Sequence, residues 1–69
     1  MLNCRIRHLM ADKKIDDITE LMALSGVSRG PINKLYRGKD IETIKLETLV
    51  KLCNVFECKL SELIEYIPD

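Results

Sequence analysis

Tryptophan is absent from this sequence, phenylalanine occurs once and tyrosine twice, so Tyr36, Phe56 and Tyr66 supply all of its aromatic surface. Three rings, one of them (Phe56) at an apolar helix position, leave no stacking platform for single-stranded nucleic acid. An excess of one charge is lacking too: 11 Lys and Arg balance 11 Asp and Glu. That excludes a protein that coats nucleic acid or anionic membrane through bulk positive charge. Long apolar runs are also missing. The longest uncharged stretch, Leu21–Ser28, is eight residues, against about 20 for a membrane span. Met1–Arg5 offers no apolar segment long enough for a secretory signal. A cytoplasmic location without membrane contact is expected.

Metal ligands and catalytic sets are equally scarce. The three cysteines (Cys4, Cys53, Cys58) are an odd number, form no Cys-x-x-Cys pair and share the chain with one histidine, His8. Zinc requires about four close ligands, so no metal or other cofactor is expected, and the cysteines read as reduced thiols packed as small apolar groups. No Cys–His or Ser–His–acid set has supporting context. The adjacent carboxylates Asp16-Asp17 read as a helix cap rather than a catalytic pair. The chain is therefore not expected to be an enzyme.

What is present is a globular mixture, 46% apolar and 32% charged over 69 residues, enough for one domain, 1–69, with a modest core. Apolar spacing predicts an all-α domain, a compact five-helix bundle, with no segment alternating at period two and hence no sheet. Leu2, Ile6, Leu9 and Met10 mark a first helix ending near Asp12. Asp17 with Glu20 three residues on forms a capping-box variant opening a second helix to about Leu24, with Leu21 and Leu24 inward. Gly26 suits the tight turn that follows. Ser28 caps a third helix that tolerates Pro31 at its third position, turns Ile32 and Leu35 inward and ends at Arg37-Gly38. A loop from Lys39 to about Lys45 carries Ile41 and Ile44 as anchors. A fourth helix, Leu46 to Val55, aligns Leu49, Leu52, Cys53 and Phe56. A fifth, Leu60 to Tyr66, turns Leu63 and Ile67 inward before Pro68.

The zero net charge is a cancellation between segments. Residues 1–14 carry +3, 15–27 carry −3, 28–40 carry +3 and 41–69 carry −3. A basic face can therefore coexist with an acidic one.

Two helices joined by a short turn containing glycine constitute a helix-turn-helix, whose second helix can enter the DNA major groove. Leu21, Gly26-Val27-Ser28, Ile32-x-x-Leu35-x-x-Gly38-Lys39, Glu47-Thr48-Leu49-Val50-Lys51-Leu52-Cys53 and Leu60-Ser61-Glu62-Leu63-Ile64 stand in order along almost the whole chain. In this set the sequence resembles the Cro/CI-type (XRE, lambda-repressor-like) helix-turn-helix family. The resemblance implies a five-helix bundle that binds specific double-stranded DNA, often as a dimer. It places base-reading positions on Arg29, Gly30 and Lys34, with Asn33 close by, and phosphate contacts on Ser28, Arg37 and Lys39. Arg and Lys are the commonest readers of guanine, and Asn can pair with adenine.

The chain departs from the family pattern in four places. Ile18 replaces a polar Gln, Met22 replaces a small Ala, Gly30-Pro31 removes long polar side chains from the start of the reading helix, and the loop after Gly38 is a residue or two longer. Two readings stay open. The first is a DNA-binding transcriptional regulator; the second is an antitoxin-like or other protein-interaction module on the same scaffold. A homodimer would have to use the domain itself, through the fourth and fifth helices and the Ile64–Asp69 tail, where Ile64 and Tyr66 cannot both point inward with Leu63 and Ile67.

Overall fold

The computed structural model describes residues 1–68; Asp69, the end of the tail considered above, lies outside them. The elements run β1 (Leu2–Cys4), α1 (Ile6–Asp12), α2 (Ile18–Ser25), α3 (Arg29–Arg37), a 3-10 turn (Ile41–Thr43), α4 (Leu46–Phe56), α5 (Leu60–Leu63) and β2 (Ile64–Tyr66). The fold is mostly helical but not strictly all-α, because the chain ends form a small sheet.

That sheet corrects the expectation of none. β1 and β2 pair antiparallel, with Leu2 opposite Tyr66, Asn3 opposite Glu65 and Cys4 opposite Ile64. Met1 and Ile67 extend the ribbon by exchanging both backbone bonds, at 2.9 and 2.8 Å. At its other end the Arg5 amide donates to the Leu63 carbonyl at 2.8 Å. Three-residue strands are too short for a period-two signal, and their partners lie at opposite ends of the sequence. The ribbon also shortens two helices. The first begins at Ile6 rather than Leu2, and the last stops at Leu63 rather than Tyr66, where Ile64 and Tyr66 suit a strand better.

Every helix and three of the connections feed one core. Ile6 and Met10 of α1, Leu21 of α2, Ile32 and Leu35 of α3, Leu49, Leu52 and Phe56 of α4, and Leu63 of α5 are buried together with Ile15, Val27 and Ile41. The spacings within α1, α3 and α4 are i,i+4, i,i+3 and i,i+3,i+7, which keep these side chains on one stripe. Burial at about 25 cal/mol per Å² of apolar surface is the main stabilising term for a chain with no cross-link.

Leu24 and Ile67 do not join the core. Ile18, Leu21, Met22 and Ser25 share the inward arc of α2, so Leu24 lies roughly 120° round the wheel and is 57% exposed. Ile67, at 41% exposure, is spent on the ribbon. Cys4, Cys53 and Cys58 are free and half-buried at the rim of the core, not inside it. The predicted loop after α3 contains a 3-10 turn, with Ile41 buried as its anchor and Ile44 half-buried.

Candidate nucleic-acid interface

The α2–α3 unit is built from local signals. The Asp17 carboxylate accepts from the Glu20 amide at 2.8 Å, and the Glu20 carboxylate accepts from the Asp16 amide at 3.3 Å. This is a capping box whose return bond lands one residue before the cap. At the other end of α2, Gly26 takes a left-handed conformation (φ 74°) and donates to the Met22 carbonyl at 2.9 Å. The Ser25 hydroxyl donates to the Leu21 carbonyl at 2.7 Å and accepts from the Val27 amide at 3.1 Å. Ser25 therefore braces the turn, a role its sequence position did not announce. Val27 is buried beneath it.

With Ile32 and Leu35 committed to the core, the rest of α3 is set by geometry. Arg29, Asn33 and Tyr36 follow one stripe (i, i+4, i+7); Gly30, Lys34 and Arg37 follow the next (i, i+4, i+7). Arg29, Gly30 and Arg37 are exposed, and Asn33 and Lys34 are half-exposed. Ser28 stands at the cap in extended conformation, but its side chain makes no capping hydrogen bond. Gly38, at φ 72°, closes the helix by donating to the Lys34 carbonyl at 2.9 Å, and the Lys39 amide joins the same acceptor at 3.1 Å. All seven predicted positions thus fall on α3 or at its two ends.

The cations of α3 are free of carboxylate partners among the described residues. Among the described residues the ion pairs are Arg5–Glu65 (3.5 Å), Lys13–Glu57 (3.0 Å) and Lys51–Glu47 (3.7 Å), and none involves α3 or the residues just after it. Arg29 instead donates to the Thr19 hydroxyl at 3.2 Å, and Lys34 to the Thr43 hydroxyl at 2.8 Å. Both partners are neutral and exposed, so neither cation is held by a carboxylate.

The family departures acquire physical reasons. Ile18 and Met22 are half-buried and pack against the core, filling space instead of offering polar groups. At Gly30, which is helical and not at positive φ, an added Cβ would meet nothing within 4 Å. The fold does not demand glycine there. Beside Arg29, a shallow cleft of about 320 Å³ is bordered by Asp16, Asp17, Ile18, Thr19 and Tyr36, which puts two carboxylates at the rim of the basic helix. One residue at this face had no sequence signal at all: Arg7 of α1, whose guanidinium lies over the Tyr36 ring, 4.3 Å from its centroid.

A capped helix, a left-handed glycine turn and a second helix with a free basic face define a helix-turn-helix domain. Residues 5–69 match the model of the Cro/C1-type HTH DNA-binding domain, and the chain belongs to that family. The match begins at Arg5, just after β1. Among curated proteins no match is found. No helix among the described residues is long and apolar enough to cross a membrane.

Proposed function

We propose that residues 1–69 act as one sequence-specific, double-stranded DNA-binding domain of a cytoplasmic transcriptional regulator, working by binding and not by catalysis. In this reading α3 enters the major groove. Arg29, Asn33 and Lys34 address base edges, Gly30 lets the backbone come close, and Ser28, Arg37 and Lys39 hold phosphates. The observation that carries it is the basic face of α3: Arg29, Lys34 and Arg37 make no ion pair among the described residues, and Arg29 and Lys34 rest on hydroxyls. A cation held by an exposed neutral hydroxyl is released to a phosphate or a guanine at little cost.

The two-fold arrangement that half-site recognition favours would use apolar groups left exposed on α4, α5 and the tail: Leu46, Val50, Leu60, Tyr66 and Ile67. A second reading, a protein-interaction module, draws on the same exposed groups and on Asp16 and Asp17 beside Arg29. Selection from a random duplex library at moderate salt separates the two. A recovered motif supports the regulator; recovery of none, with the chain folded, favours the interaction module. Light scattering across concentrations tests the dimer, which an 8.0 kDa species throughout contradicts.

A further inference from the structure

Arg7 and Tyr36 are 29 residues apart in sequence and meet through three contacts. The Arg7 Nε and Nη2 both donate to the Tyr36 carbonyl oxygen, at 3.2 and 3.0 Å, and the guanidinium stacks on the Tyr36 ring. Tyr36 lies in the last turn of α3, where carbonyls have run out of helical donors and a cation is favoured by the helix dipole. The fork grips a backbone atom and so fixes the position of α3 along its axis. The stack grips a side chain and so fixes its rotation. Arg7 itself sits between Ile6 and Met10, which anchor α1 in the core.

Tyr36 shares its stripe with Arg29 and Asn33, so any turn of α3 that lifts the ring off Arg7 also re-aims those two side chains. We infer that Arg7 is a positioning residue for base reading: it sets the rotation of α3 through Tyr36 without contacting the bases. This rests on the DNA-binding reading above. A planar fork is required for it, and lysine, a point charge on a flexible stem, cannot supply one.

The test uses the full chain, the duplex it enriches from a random library and a scrambled duplex of equal length. Arg7→Met should weaken the enriched duplex about tenfold, the scale of one misplaced base contact, while the scrambled duplex and the salt slope change little. Arg7→Lys should fail to rescue. Binding is read well below each variant's melting temperature, so that lost stability is not scored as lost positioning. In the free chain, the Arg7 Nε–H resonance should show the ring-current shift and slow exchange of a stacked, bonded group. Rescue by lysine, or an equal loss on both duplexes with a shallower salt slope, makes Arg7 a phosphate contact and overturns the assignment. Wild-type-like affinity of Arg7→Met overturns it as well. Enrichment of no duplex by the wild-type chain is a different result, overturning the DNA reading and this assignment with it.

Discussion

The Lys34 ammonium donates to the Thr43 hydroxyl at 2.8 Å, and that hydroxyl donates in turn to the Asp40 carbonyl at 2.7 Å. The relay ties α3 to the 3-10 turn behind it through neutral groups. On the proposed DNA-binding reading, Lys34 exchanges Thr43 for a base edge when the complex forms. Lys34→Ala, like Arg29→Ala, should cost about 1–3 kcal/mol on the preferred duplex and relax its sequence preference. Quantitative binding to the selected site and to single-base variants of it checks both.

Lys39 differs in kind. It follows the glycine cap, is exposed and makes no ion pair among the described residues. A phosphate contact there carries no sequence information. Lys39→Ala should weaken every duplex alike and lower the slope of log K against log salt by about 1. Titrations at several salt concentrations measure that slope directly.

Gly30 allows stability and binding to be separated. Its backbone is helical and space around a Cβ is open, so Gly30→Ala should stabilise the free domain by up to about 0.5–1 kcal/mol. The same methyl should weaken the complex if the backbone at this point lies against a base. Paired melting and binding curves on one variant should move in opposite directions.

The contrast between Gly30 and Gly26 shows what was legible beforehand. Gly26, after a capped helix and before Ser28, announced a turn, and its left-handed conformation follows from local chemistry. The three central helices, the Asp17 cap and the inward positions other than Leu24 were readable for the same reason: each signal lies within about one turn of the residue it controls. The ribbon was not, because Leu2 pairs with Tyr66 from the opposite end of the sequence and no local signal joins them. Arg7 reaching Tyr36, and Ile18 turning into the core, likewise depend on tertiary neighbours that no spacing rule reveals. The basic face of α3 was visible as residue identities. The hydroxyl partners of Arg29 and Lys34 were not.

The pair Cys53 and Cys58 gives the domain an alkaline limit. Cys58 follows the left-handed end of α4, where its amide donates to the Cys53 carbonyl at 3.1 Å. Burial, then the neighbouring Cys53 thiol and the Glu62 carboxylate, push the Cys58 thiol up from 9.0 to about 11. Burial raises Cys4 in the same direction. The folded chain thus keeps protons that the unfolded chain has already released. The stabilisation is complete below about pH 9 and is lost as pH rises through about 11. Denaturant midpoints measured across that window should fall less steeply for Cys58→Ser than for the wild-type chain.

The pairing of Met1 with Ile67 closes a loop of almost the entire chain, and loop closure is entropically harder the more residues it spans. The ribbon should therefore be the last part of the molecule to assemble and the first to open. Hydrogen exchange should find the Ile67 amide weakly protected while those of Leu52 and Leu35 exchange only on global unfolding. The ends can then part and rejoin while Gly26, Val27 and the faces of α2 and α3 stay in place, so motion at the ribbon need not disturb the helix proposed to meet DNA.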